Sequence, residues 1–460
     1  MIPVKSRAPA ATQAFQRPVW EASRIGFPAV SRSPGFVALA ALVVYLLFRF
    51  SMLQDFIAYR FHFNTRYHYV CVPILLLASA IGGRLVPVLS SWLGIWMTAF
   101  TFWMGACIPT STWRGGSFGT FRNYVENDFM IFVVVGCVAC VLLAQKRAVY
   151  AMAAVMPLYV LILAGTSSAS MYGERAMMVY GTYGNPNNIA SHLLFLGPFV
   201  VCSMLLGKGF GFRHLAGIAA LFGGSVFFVR SGSRGGLLAL LVALAVVFVG
   251  LPFSKKAVAV LLLVLTVPAV LALMPRNALL RYRAIFSDTS GLAMTAAESD
   301  MITAAVGSSL ERRLIFKESV ALSFHNPIFG VGPGQFETYE ANGAKAAGRR
   351  AIWLVTHNAY TQVSSEMGLV GFVFYMGVLL TTGLSLWRIR KRLSGIPHMR
   401  PAYYIASCLL VSWVSYCVFS VFDYLAYYQY VPLMAGFTVG LKAAVEGELG
   451  NVEAPAATAI

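Results

Sequence analysis

Charge is what this chain has least of. Only 11% of its 460 residues are Asp, Glu, Lys or Arg, and just 17 of them are acidic. A soluble domain carries about 25% charged residues, so a water-facing surface over the whole length is excluded. Cysteine is sparse and poorly placed for chemistry. Nearly all seven lie inside apolar runs, and the C-x-x-C made by Cys137 and Cys140 falls within one. A reactive thiolate or a metal needs polar surroundings, so these side chains read as small packing residues. The segment Met1 to Pro34 is polar and basic with no early apolar core, which reads as a disordered tail rather than a cleaved signal.

What the chain has in abundance is apolar length. It is 58% hydrophobic with a mean hydropathy of +0.71, and runs of roughly 20 apolar residues recur, each able to cross a bilayer core. About twelve spans are predicted, at 36–53, 70–83, 86–108, 129–144, 148–165, 188–207, 214–230, 235–252, 257–274, 365–386, 402–421 and 425–442. The expected fold class is an all-α integral membrane protein. Its predicted parts are a tail 1–34, spans over 35–274, one long loop with short helices over 275–364, spans over 365–446 and a second tail 447–460. A short helix is expected in the loop around Leu310–Phe324, where an apolar stripe follows Glu311, Arg312 and Arg313.

The connections orient the spans. The first tail carries Lys5, Arg7, Arg17, Arg24 and Arg32; Arg84 follows the second span, Lys146 and Arg147 the fourth, and Lys208 and Arg213 the sixth. Lys255 and Lys256 follow the eighth, and Arg388, Arg390, Lys391, Arg392 and Arg400 the tenth. Alternating spans put all of these on one side, which the positive-inside rule makes cytoplasmic. Both termini are then cytoplasmic and the 275–364 loop is periplasmic, as expected of a bacterial inner-membrane protein. The net charge of +18 is thereby accounted for without nucleic acid; the bilayer is the expected partner.

Several basic residues break this rule. Arg175, Arg230, Arg234, Arg276, Arg281, Arg283, Arg312, Arg313, Lys317, Lys345, Arg349 and Arg350 fall on the other side. Some can pair with Glu174, Asp288, Glu298, Asp300 or Glu311. Basic groups near membrane level are costly unless paired or wet, and so are functional candidates. Arginine forks match phosphate oxygens, and the phosphate-bearing molecule at that depth is a lipid-linked diphosphate.

Three segments narrow the chemistry. Gly181-Thr-Tyr-Gly-Asn-Pro-Asn-Asn188 reads as a tight turn with Asn188 as helix cap. Ser231-Gly-Ser-Arg-Gly-Gly236 joins two spans with almost no loop, placing Arg234 at the membrane face. The third runs from Arg312 through Gly330-Val-Gly-Pro-Gly334 to His357-Asn358 and Gly368-Leu-Val-Gly371. Its glycines follow no strand of a β-α-β unit, so they shape a turn rather than a nucleotide site. His357 precedes a span beside the basic loop, with Tyr360 and Ser364 at helical spacing, and a neutral imidazole there can take a proton from a sugar hydroxyl.

These segments, in this order and with the His-Asn-x9-Gly-x-x-Gly spacing, resemble the O-antigen ligase and polymerase superfamily over about 160–371. Phe316 stands where many members have Trp. The resemblance implies a GT-C-type inverting glycosyltransferase that takes a glycan from undecaprenyl diphosphate on the periplasmic face, without cofactor or metal. The acceptor is lipid A–core for a ligase, or a growing polysaccharide for an O-antigen or exopolysaccharide polymerase. By residue, it implies His357 as general base, and Arg234 and Arg312 as diphosphate binders that stabilise the leaving group. Arg175, Arg230, Arg313, Asn185, Asn187, Asn358 and Tyr360 are the expected substrate-binding neighbours. Two other classes compete: a lipid-linked glycan transporter, which would show internal repeats or mid-span charges, and a structural assembly protein, which would need no histidine beside the basic loop.

Overall fold

The computed structural model describes residues 34–457 apart from 170–174, 179, 182, 208, 251–255, 257–295 and 351–352. The expected span 257–274 and the residues Arg276, Arg281, Arg283 and Asp288 lie outside the described residues.

The described chain is mostly helical. Helix α1 (Phe36–Phe50) turns by 65° into α2 (Leu53–Phe61). Then come α3 (Tyr67–Ile81), α4 (Leu85–Ser90), α5 (Trp92–Ala106) and α6 (Arg114–Tyr124), which passes through a π-helical turn (Val125–Phe129) into α7 (Met130–Val138). Helix α8 (Leu142–Thr166) is followed by a minimal antiparallel pair, β1 (Ser168–Ala169) and β2 (Ala176–Met177), in register Ser168 with Met177. The remaining helices are α9 (Pro186–Leu205), α10 (Phe212–Ser231), α11 (Arg234–Gly250), α12 (Ala296–His325), α13 (Phe336–Ala346), α14 (Ala359–Leu393), α15 (Arg400–Phe419) and α16 (Tyr430–Ala457).

One main apolar core runs through α1, α5, α7–α9 and α14–α16, and a small second one (Ile315, Leu322, Val331, Phe336) ties α12 to α13. Five described helical segments are long and apolar enough to cross a membrane: α8, α9, α10, α14, and α15 with its leading turn. The bent α1–α2 pair makes a sixth if it is one span.

The predicted boundaries shift where helix formers outweigh charge. The spans expected at 129–144 and 148–165 are redrawn, because α8 begins at Leu142 and takes Lys146 and Arg147 into its first turns. Neither Gly nor Pro interrupts Val141–Met156, and Lys and Arg are good helix formers. The break ahead of it is satisfied by Gln145, whose Nε2 donates to the Ala139 carbonyl at 2.7 Å and the Phe437 carbonyl at 3.0 Å. Helix α16 likewise continues past the expected boundary at 447, with Lys442 and Glu446 paired one turn apart at 3.8 Å. The helix expected around Leu310–Phe324 lies within α12.

The glycine-rich segment between α12 and α13 is a clasp. Helix α14 is interrupted at Gly368, where φ is +70°. The carbonyls this leaves without helical partners accept from the clasp: Val331 N donates to Ser365 O at 3.0 Å, and Gly332 N to Glu366 O at 2.9 Å. Leu369 N, past the break, donates to Pro327 O at 2.7 Å. The Glu366 carboxylate closes the clasp by accepting from Gly334 N at 2.8 Å. The backbone groups freed by the break are thus re-paired, as buried peptide groups must be.

A Cβ at position 368 would stand 2.1 Å from the Ile328 carbonyl oxygen, on a left-handed backbone. Gly368→Ala should therefore cost about 2–4 kcal/mol from strain and overpacking together. Thermal unfolding of the purified protein in detergent measures this, and an unchanged transition would mean that the clasp is not part of the cooperative core.

Candidate active site

The site is assembled from three tight turns and one loop helix. The first turn joins α10 to α11. Gly232 takes φ +57° there, which costs a residue with a side chain more than glycine. Ser233 Oγ accepts from Gly236 N at 3.2 Å and caps α11, so Arg234 becomes the first residue of the helix.

The second turn precedes α9. Its cap is Asn185, whose side chain accepts from Asn187 N at 2.9 Å. Asn188, the cap expected from the sequence, is instead buried inside the helix. Proline is preorganised for the first helical position, so Pro186 starts the helix early. Arg175 ties the two turns together, donating from Nε to the Ser231 carbonyl at 2.6 Å and from Nη2 to Asn187 Oδ1 at 2.9 Å.

The third turn carries His357. Asn358 caps α14, accepting at Oδ1 from Tyr360 N at 2.9 Å and Thr361 N at 3.0 Å. Its Nδ2 donates to the Val421 carbonyl at 3.1 Å, and Ala359 N donates to the Ser420 carbonyl at 2.8 Å. His357 is thereby pinned between α14 and the turn after α15, with a left-handed φ of +50°. Non-glycine residues held in that region gather at functional sites.

Two cavities meet between these elements. The larger, of about 360 Å³, is lined by Arg312, Arg313, Phe316, Lys317, Thr356, His357, Asn358, Val421 and Phe422. The smaller, of about 40 Å³, is lined by residues including Arg175, Asn187, Ser233, Arg234, Ser308 and Phe419. Arg312 and Phe422 line both.

Arg312 Nε, His357 Nδ1 and Asp423 Oδ2 are buried with no protein hydrogen-bond partner among the described residues. Burial, and then the Arg312 charge, bring His357 down to about 4, so the ring is neutral at physiological pH. Burial also lowers Arg312, with Arg234 adding repulsion and Asp423 opposing both. Asp423 is raised to about 6 by burial, against the hydrogen bond from Tyr424 N and the attraction of Arg312. An anionic ligand would accept from Arg312 Nε and add compensating charge beside it, whereas it would repel an ionised Asp423.

Of the residues singled out in the sequence, Arg175, Asn187, Arg234, Arg312, Arg313, His357 and Asn358 come together here. Three others do not line the cavities. Arg230 is exposed, its guanidinium 5.9 Å from the Phe227 ring centroid. Asn185 is engaged in the cap. Tyr360 donates its hydroxyl to the Cys417 carbonyl at 2.8 Å, and Ser364 faces Ser323 at 2.7 Å, so the polar stripe expected beyond His357 packs against α15 and α12. Asp423 and Phe422 were missed as site residues. The available signal was an acid in a short connection at membrane level, where ionisable groups are costly.

Residues 218–376 match the family model described as O-Antigen ligase. The matched stretch contains the Ser231–Gly236 turn, Arg312, the glycine clasp, His357 and the break in α14, while Arg175, Asn187 and Asp423 lie beyond it. No curated protein matches the chain. With these turns, arginines and histidine inside the matched stretch, residues 218–376 are similar to the O-antigen ligase family over the part of the chain that builds most of this site.

Proposed function

We propose that the chain transfers a glycan from undecaprenyl diphosphate to a sugar hydroxyl of lipid A–core, on the periplasmic face of the bacterial inner membrane, as an O-antigen ligase-type inverting glycosyltransferase. The observation that carries this reading is the convergence of Arg175, Arg234 and Arg312 beside His357, in cavities that share Arg312 and Phe422. These residues come from four connections, 166–187, 231–234, 275–364 and the turn at Phe422–Asp423, which alternating spans assign to one side. Their meeting at one place supports the twelve-span scheme and a single catalytic face.

In this mechanism the diphosphate lies across Arg234 and Arg312, which take up the charge that grows on the leaving oxygen. Arg175 is held by Ser231 and Asn187 and lines the same trough. The acceptor oxygen attacks the anomeric carbon from the face opposite the diphosphate. The bond from that carbon to the phosphate oxygen breaks, undecaprenyl diphosphate departs as the anion, and the acceptor proton passes to His357. The geometry also tunes the base. An imidazole held near pH 4 accepts protons poorly, and part of that depression is the Arg312 charge. A diphosphate bound to Arg312 cancels that part, so His357 becomes more basic when the donor is in place.

His357→Ala, Arg234→Ala and Arg312→Ala should each lower transfer by roughly two orders of magnitude or more, with Arg312→Lys intermediate because charge remains and the fork is lost. Expressed at matched membrane levels in a host lacking the gene, these variants should accumulate long lipid-linked glycan while capped lipopolysaccharide disappears. Accumulation of single repeat units with loss of long polymer would instead identify a polymerase. Variants that behave like wild type would overturn the site.

The tuning of His357 predicts a second result. The acidic limb of kcat, which reports the donor complex, should lie at higher pH than that of kcat/KM for the donor, which reports the free enzyme. Coincident limbs would mean that the donor does not reach Arg312.

A further inference from the structure

We propose a second binding site, centred on Arg49, Asp128 and Gln429 and joined to His357 by Tyr424 and Tyr428, that holds the acceptor saccharide. The proposal rests on the glycan-transfer reading above and adds the place where the acceptor lies.

Arg49, in the last turn of α1, donates from Nη2 to Asp128 Oδ1 and to Gln429 Oε1, each at 3.0 Å. The Asp128 side chain is 3% exposed and that of Arg49 21%, so the ion pair is nearly enclosed and what surface it keeps belongs to Arg49. Around it, Tyr45 Oη, Arg49 Nε, His68 Nδ1, Tyr183 Oη and Gln429 Nε2 are all buried without a hydrogen-bond partner among the described residues. They are neighbours. The Tyr45 and His68 rings are 5.9 Å apart, and Tyr183 lies 6.1 Å from Tyr430, the residue after Gln429. Deeper in the core, by contrast, His192 has both nitrogens placed, against the Phe50 carbonyl at 2.7 Å and the Tyr430 hydroxyl at 3.0 Å. Buried polar atoms are almost always paired, so this many orphans around one ion pair mark a site that a hydroxyl-rich molecule completes.

Two features identify that molecule as the acceptor. The Arg49–Asp128 pair cancels its own charge, which suits neutral hydroxyls, whereas the trough at Arg175, Arg234 and Arg312 suits phosphate. The route to His357 is also lined for sugars. The His357 ring meets Tyr424 edge-on at 6.2 Å, Tyr424 meets Tyr428 at 6.1 Å, and Gln429 follows in the chain. Tyr424 and Tyr428 are half-buried and line neither donor cavity. Flat rings backed by convergent polar groups are how proteins bind molecules with one apolar and one polar aspect.

Kinetics with the purified full-length protein test this. The donor is lipid-linked glycan from host membranes, and the acceptor probe is the glycolipid fraction of a host strain lacking the gene. Tyr428→Ala and Gln429→Leu should each raise KM for the glycolipid about tenfold, the loss of one good contact, with KM for the donor and kcat close to wild type. Tyr428→Phe keeps the ring and should recover most of the affinity. In a His357→Ala background, a benzophenone amino acid at position 428 should crosslink glycolipid, whereas the same group at Leu161, which is 69% exposed on α8, should not. Unchanged KM for the glycolipid, or no crosslink at 428 above the Leu161 control, would overturn the proposal even while wild type transfers and His357→Ala does not. If wild type and His357→Ala transfer alike, it is the catalytic reading that fails.

Discussion

The clasp between the Gly330–Gly334 segment and the break in α14 is the constraint on which the geometry of the candidate site depends. Arg312 belongs to α12 and His357 to the turn before α14, two elements far apart in the chain. Without a tie, each would be set by its own helix. The clasp converts the break at Gly368 into a set of backbone hydrogen bonds that join the end of α12 to the middle of α14. The buried Glu366 carboxylate and the cluster of Ile315, Leu322, Val331 and Phe336 reinforce it. Holding the charged side chains of a cavity in a fixed geometry needs such rigid support.

Around that tie the chain divides its polar side chains by task. One group has its hydrogen bonds complete within the protein, as His192 and the Asn358 cap do, and fixes helices. A second group is left incomplete. Arg312, His357 and Asp423 form one such set, and Arg49, Tyr183 and Gln429 another. The first incomplete set sits beside the arginines that line the two cavities, and the second around an ion pair. A donor that carries a diphosphate and an acceptor that carries hydroxyls differ in the same way.

Much of this was legible in the sequence because it depends on local pattern. Apolar runs gave the membrane class, and the Ser-Gly-Ser-Arg turn and the His-Asn spacing gave Arg234 and His357, since turns and caps are written within a few residues. Arg312 was legible through a motif, not through charge, because Lys317 and Arg313 are as basic. What failed to read out is tertiary. Asp423 acquires its role from Arg312, 111 residues away by subtraction of their numbers, and nothing local announces it. Tyr360 was expected in the site because it shares a helix face with His357, but His357 lies outside the helix, ahead of its cap and on a left-handed backbone. Lys146 and Arg147 read as a connection because charge was weighed above the helical propensity that carries α8 through them.

Phe422 lines both cavities, as Arg312 does. Arg312 is repelled by Arg234 and attracted by Asp423, and burial weakens the screening of both effects. Arg312 therefore rests in a balance of opposed charges. On the reading proposed above, a dianionic group that reaches both arginines relieves their mutual repulsion as it binds, so its affinity draws on a tension that the fold itself sets up.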